Sequence, residues 1–393
     1  MRDGPGAFPG PFLHGPPSWF ARGVERRLPE IAIASTGTYL PVPARVDAAP
    51  LAARRSVGDD MERPWRRTDR RRNVKGWTLM CTGMRFVDTD GRMFFGRNLD
   101  WTFDYGERVL VVPRGFEPAS PFGATTRCKH ALIGMGIVEE GQPLLFDAGN
   151  DAGLAVAGLN FPGYAAYEPA PVEGKANIAA WEFPLWVAAN FATVDEVAEA
   201  LADAVVVDEP IAPKWPSSLL HWIVGDANRS IVVEYTSAGM QVFDNPVDVL
   251  ANQPGYGWHA ENLRNYLNVS SDFEVAGSFG APLAPFGAGA SQRGLPGDYS
   301  SPSRFVRAAY VNANYPAKEG EPANVSRLFH SLSQVAMVEG GAMAHDGRSE
   351  KTLYTSCFSA STGGYYFNTY DDVTIRSYHL GDYPQEGDRV IEA

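Results

Sequence analysis

Cysteine is scarce in this 393-residue chain: there are three, Cys81, Cys128 and Cys357, far apart and odd in number. A disulfide framework is therefore excluded, and no CxxC or HExxH spacing offers a metal site. No run approaches the roughly eighteen uninterrupted apolar residues of a membrane span, and the first residues lack the basic start and apolar core of a secretory signal. These absences make the cytoplasm, where thiols stay reduced, the expected address. No repeat of 20 to 50 residues is visible, which argues against solenoids and propellers. Positive charge is also scarce, except at one end. Residues 1–79 carry 14 Lys and Arg against 8 Asp and Glu, a net +6, whereas residues 80–393 carry 20 against 38, a net −18. Nucleic-acid binding needs clustered cations, and so acidic a body argues against it.

The basic end reads differently from the rest. It holds ten of the thirty prolines, in stretches such as GPGAFPGPFLHGPP, and shows no sustained period of 2 or 3.6. The expectation for residues 1–79 is a disordered, basic, Pro-rich extension, either a propeptide or a mis-assigned start. A nucleic-acid arm or an anion-binding piece centred on RPWRRTDRRRNVK (63–75) is the alternative. Residues 80–393 are expected to form the folded domain.

From residue 80 the pattern turns to apolar alternation broken by turn signals, the mark of a β-rich fold. Strands are expected at HALIGMGIV, GLAVAGLNF, LLHWIVGD, SIVVEYT, MQVFD, LYTSCFSAS and GYYFNTYD. Helices are expected at NIAAWEFPLWVAANFA, with Pro184 tolerated or kinking, at TVDEVAEALADA behind a Thr193/Glu196 capping box, and at NVSRLFHSLSQVA. Strand groups that are apolar on both faces, with helices between them, suggest buried sheets in a layered α/β or α+β sandwich. CTGMRFVDT and RMFFGRNLDW flank Asp90-Gly91, a favoured two-residue hairpin turn. That turn sets Cys81 opposite Asp100 and Met84 opposite Arg97, with Met84, Phe86, Met93, Phe95 and Leu99 forming one apolar face. Arg97 then points away from Cys81 unless Gly96 kinks the strand.

Cys81 directly follows Met80, and two readings stand side by side. It is a small buried hydrophobe, or it becomes the first residue once Met80 is removed. In the second case one residue carries a thiol and a free α-amine, hence nucleophile and base. A nearby guanidinium such as Arg97 would raise the thiolate fraction, and Asp100 could orient the amine.

MCTG (80–83), FGRNLDW (95–101), GLAVAGLNFPGY (153–164), VLANQPGY (249–256), GLPGDYSSPSRF (294–305) and YTSC followed by YYFNTYDD occur in one order. Together they resemble the choloylglycine hydrolase family, the conjugated bile salt hydrolases and penicillin V acylases, from Met80 to about residue 385. The resemblance implies an N-terminal-nucleophile hydrolase with an α+β, four-layer αββα sandwich, needing no metal or cofactor. It implies Cys81 as mature N-terminal nucleophile, Arg97 and Asp100 as its assistants, Asn160 as an oxyanion-hole donor, Asn252 as the family's site asparagine, and Arg304 as the distal arginine. Asn252 is preceded by Ala251 where the family pattern has threonine. Phe103, Tyr105, Phe161 and Tyr164 are candidate walls of an acyl pocket.

The implied substrate is a small-molecule amide, a bile acid conjugated to glycine or taurine. Asn160 favours this over penicillin V, because penicillin V acylases commonly carry tyrosine there; acyl-homoserine lactones are a further alternative. The resemblance also implies a homotetramer. A competing reading keeps residues 1–79 attached, leaves Cys81 without its amine, and makes the chain an inactive scaffold or anion-binding protein.

Overall fold

The computed structural model describes residues 80–213, 215, 217–273, 279–281 and 283–393. The expectation of a separate extension over residues 1–79 lies outside the described residues. In the first half the strands are β1 (Met80–Val87), β2 (Met93–Trp101), β3 (Arg108–Val112), β4 (Leu132–Glu139), β5 (Gln142–Asn150), β6 (Ala155–Asn160), β7 (Ala176–Ala179) and β8 (Ala204–Val207). They continue as β9 (Leu220–Gly225), β10 (Ser230–Thr236), β11 (Gly239–Asp244), β12 (Val249–Ala251), β13 (Ala342–Met343), β14 (Ser349–Ser359), β15 (Gly364–Thr369), β16 (Arg376–His379) and β17 (Ile391–Glu392). The helices are α1 (Phe183–Asn190), α2 (Val194–Leu201), α3 (Tyr256–Asn262), α4 (Ser301–Asn314) and α5 (Glu321–Ser333).

Two antiparallel sheets dominate. One runs β12-β1-β2-β14-β15-β16 with β13 beside β14, the other β11-β10-β9-β6-β5-β4-β3-β17. The sheets meet where β1 and β2 cross β6, while α4 and α5 cover the outside of the first sheet and α1 the outside of the second. The result is an α+β sandwich in four layers, αββα. One apolar core fills the space between the sheets and beneath α4 and α5; the other lies between the second sheet and α1 and α2. Every residue of β2 is buried, because one face meets the second sheet and the other meets α5.

That double burial explains a correction. The β1–β2 pairs are Cys81 with Leu99, Gly83 with Arg97 and Met84 with Gly96, one residue away from the register that a two-residue turn gives. The connection is three residues, Thr89-Asp90-Gly91, closed by the Asp88 N–H donating to the Arg92 carbonyl at 3.0 Å. Gly91 has φ 79°, the left-handed conformation that such a loop requires after its first turn. Asp88 stabilises the loop by accepting from the Asp90 and Arg92 amides, each at 2.9 Å. Alternation fixes register only where one face is wet; on this hairpin both faces are apolar, so the pattern fitted either. Phe86 and Met84 face the helices, whereas Met93, Phe95 and Leu99 face the other sheet.

Gly96 is not a kink. A Cβ there would collide with the Ser356 carbonyl and the Leu328 side chain, so glycine allows β14 and α5 to close on β2. The segment expected to be helical from Asn177 begins instead as β7, paired in parallel with β8, and turns helical only at Ala180. Pro184 sits in the first turn of α1, where its missing N–H costs nothing and no kink results. Thr193 caps α2 by accepting from the Glu196 amide at 3.2 Å. Among the described residues no helix is long and apolar enough to cross a membrane.

Candidate active site

The register brings Cys81 and Arg97 onto the same face of the first sheet, pointing into the layer between the sheets. Nη2 of Arg97 donates to Cys81 Sγ at 2.6 Å. Its Nη1 donates to the Gly158 carbonyl at 2.7 Å and the Phe146 carbonyl at 3.0 Å, which aim the guanidinium. Both residues are about 1% exposed. Burial pushes the Cys81 thiol above its usual range, opposed chiefly by Arg97, with Asp100 adding to the rise. The backbone N–H groups of Asp100 and Asn160 also work to lower it. Burial works against the charge of Arg97 as well, but Cys81, Tyr354, Asp147 and Asp100 together outweigh it and hold the guanidinium protonated.

The backbone of Cys81 is gripped from the other side. Its nitrogen donates to Asn252 Oδ1 at 2.7 Å, and Arg304 donates to the Cys81 carbonyl at 2.5 Å, to Thr82 Oγ1 at 2.7 Å and to Asn252 Oδ1 at 2.7 Å. Asn252 follows β12, whose pairing with β1 carries it to Cys81, and its Nδ2 donates to the Asn160 carbonyl at 2.7 Å. Behind Asn252 the imidazole of His259 is kept neutral, burial lowering its pKa to about 4 despite the opposing Asn252 carbonyl. A carbonyl can only accept, so His259 Nε2 carries the hydrogen of their 2.9 Å bond.

Asp100 lies on the helix-facing side, the reverse of its expected place opposite the thiol. It pairs with Met80, beside the Met80–Cys81 peptide bond. Thr352 donates to its Oδ1 at 2.5 Å, and Arg304 Nη1 lies 3.9 Å from Oδ2, which has no hydrogen-bond partner among the described residues. Burial raises the carboxyl pKa to about 6, against the pull of Arg304, Thr352 and Arg97.

A cavity of about 230 Å³ opens over Cys81, lined mostly by apolar side chains that include Leu99, Phe103, Tyr105, Ile137, Phe146 and Trp215. Asn160, at the end of β6, and Arg97 reach its floor. Of the four aromatic candidates, Phe103 and Tyr105 line the wall and Phe161 and Tyr164 do not. Phe161 is fully buried and stacks on His221 with ring centroids 4.1 Å apart; Tyr164 stacks on Phe161 with its other side in solvent. Their proximity to Asn160 in sequence misleads, because the chain turns away at the end of β6. Asp147 and Phe146 come from β5, which lies in none of the motif runs, and Thr352 stands two residues before the YTSC run, so none of the three was singled out.

A model of the linear amide C–N hydrolases, choloylglycine hydrolase family, matches residues 81–386. This chain belongs to the choloylglycine hydrolase family. Over 314 residues it is 54% identical to a bile salt hydrolase/transferase of Bifidobacterium longum subsp. longum, covering 79% of this chain and 99% of that protein. It is 44% identical over 314 residues to a conjugated bile acid hydrolase of Lactobacillus gasseri, again 79% and 99% of the two chains. Crystal structures of conjugated bile acid hydrolase variants from Clostridium perfringens superpose with TM-score 0.75 at 36% identity, covering 80% of this chain and 96% of theirs. A penicillin V acylase from Agrobacterium tumefaciens shares the fold, with TM-score 0.62 at 19% identity over 79% of this chain and 90% of that one. As a member of the choloylglycine hydrolase family, the chain is a hydrolase of linear amide C–N bonds with the N-terminal-nucleophile fold.

Proposed function

We propose that this family member cleaves the amide bond of glycine- or taurine-conjugated bile salts through a thioester at Cys81. The observation that carries the reading is the 2.6 Å contact between Arg97 and the Cys81 thiol on the floor of an apolar cavity. The names of the relatives support the substrate class, and the apolar wall suits a bulky hydrophobic acyl group.

The proposed chemistry requires Cys81 to be the first residue. A peptide nitrogen has one hydrogen, which goes to Asn252 Oδ1. A freed ammonium has three, and Oδ2 of Asp100, which has no hydrogen-bond partner among the described residues, is a ready acceptor near Met80. The family match beginning at Cys81 agrees with such a start. The α-amine takes the thiol proton, the thiolate held by Arg97 attacks the acyl carbon, and the carbonyl oxygen becomes an oxyanion facing Asn160. The ammonium gives its proton to the departing amine as the C–N bond breaks. Water then attacks the thioester, losing a proton to the amine, and the acid leaves with the thiol restored.

Replacing Cys81 by Ala or Ser, in protein whose intact mass has been measured, tests the assignment with glycocholate, taurocholate and penicillin V as substrates. Loss of glycocholate turnover is expected. Retained turnover in C81A, or a wild-type preference for penicillin V by kcat/KM, would overturn the nucleophile or the substrate class respectively.

A further inference from the structure

Behind Arg97, on the side away from the cavity, a carboxylate is buried between the two sheets. Asp147 of β5 is 3% exposed. Tyr365 donates to its Oδ1 at 2.6 Å and Ser356 to the same oxygen at 3.3 Å, while Tyr354 donates to Oδ2 at 2.7 Å. The strand register makes this convergence possible. Ser356 pairs with Arg97, Tyr354 with Leu99 and Tyr365 with Phe358, which sets all three hydroxyls on the inter-sheet face. On the opposing sheet, Met135 pairs with Asp147 and Gly136 with Leu145, so Phe146 is the extra residue of a bulge. Its carbonyl is one of the two that aim Arg97.

A carboxylate accepting three hydroxyl protons is suited to its ionised form, and so buried a charge needs a counter-charge. Burial pushes the Asp147 carboxyl above its usual range, opposed first by the charge of Arg97, which reaches it without a direct hydrogen bond among the described residues, and then by the three hydroxyls. The other titratable groups that act on Arg97 or Asp147 are Cys81, Tyr354 and Tyr365 within the layer and Asp100 from the helix-facing side of the hairpin. None of the tyrosines competes for the proton, because burial and Asp147 itself hold Tyr354 and Tyr365 un-ionised.

We propose that Asp147, clamped by Tyr354, Tyr365 and Ser356, is a positioning residue that fixes the aim of the Arg97 guanidinium through the adjoining Phe146 carbonyl and tempers its field at the Cys81 sulfur. Arg97 then faces two carriers of negative charge, the clamped Asp147 carboxylate and the Cys81 sulfur when it ionises. Asp147 moderates the pull on the thiol, and its loss leaves the full guanidinium charge to Cys81.

The idea rests on the proposed cysteine chemistry, and the experiment separates the two. Iodoacetamide alkylation of the full purified chain is followed at the Cys81 peptide by mass spectrometry across the pH range. In Asp147→Asn the midpoint of alkylation is expected to fall by about one pH unit, the scale on which one neighbouring charge moves a pKa. Tyr354→Phe and Tyr365→Phe, which each remove one donor, are expected to lower it by less. Tyr235→Phe is the control, a buried tyrosine whose hydroxyl bonds to Glu168 instead, and it should not move the midpoint. An unchanged or raised midpoint in folded Asp147→Asn overturns the proposal; if that variant does not fold, the same result in both tyrosine variants does so. Wild-type protein that still hydrolyses glycocholate after complete Cys81 alkylation would refute the nucleophile, while the midpoint comparison would still judge Asp147.

Discussion

Asp100 should be a liability to the fold that the site retains. Its carboxyl is fully buried, one oxygen has no hydrogen-bond partner among the described residues, and burial raises its pKa from 3.8 to about 6. As the pH rises from about 4 to about 6 the unfolded chain releases this proton while the folded chain keeps it, so stability declines across that window and levels off above it. A shift of about two units corresponds to about 3 kcal/mol at neutral pH. Asp100→Asn keeps the size, can still accept from Thr352, and never ionises. Its stability relative to wild type should therefore rise between about pH 4 and pH 6 to a plateau near 3 kcal/mol, while in protein beginning at Cys81 the same substitution should abolish glycocholate turnover. The assay is urea unfolding of both proteins, with Met80 retained, at a series of pH values. A difference that does not change with pH would refute the argument that burial strains this carboxylate. In protein beginning at Cys81 the plateau should be lower, because an α-ammonium beside Asp100 favours the ionised form.

Two further outcomes follow from the packing. Gly96→Ala forces a methyl into the Ser356 carbonyl and Leu328, and should destabilise the protein by about 3 kcal/mol, read as a lower urea midpoint with unchanged slope. Tyr105→Ala removes part of the cavity wall and should lower kcat/KM for glycocholate at least tenfold, whereas Tyr164→Ala, on a side chain outside the cavity, should leave it unchanged.

The layered fold was legible because sandwich sheets leave a simple trace: short apolar strands, turn residues between them, and helices in separate blocks. The family motifs were legible for a different reason. Cys81, Arg97, Asp100, Asn160, Asn252 and Arg304 sit in short runs whose order along the chain is distinctive, and the folded chain gathers all six around the Cys81 backbone and thiol. The helix at α4 was not read, since its serines, arginines and asparagines lack a clean apolar stripe and its buried Arg304 serves the site rather than the core. The start of α1 was misread because β7 is only four residues long and pairs with β8 across a long stretch of chain.

What the sequence determined by itself was the inventory: a thiol after a methionine, an acidic body, strands buried on both faces, and a family signature from Met80 onward. It could not determine which side chains share a face, because period-2 alternation loses its meaning when both faces of a strand are apolar. One residue in the β1–β2 turn decided that Arg97 joins Cys81 between the sheets and that Asp100 stands on the helix side. Only tertiary structure brings Asp147 and Phe146 from the opposing sheet, and Asn252 and Arg304 from β12 and α4, to within hydrogen-bond distance of groups that local sequence cannot foresee.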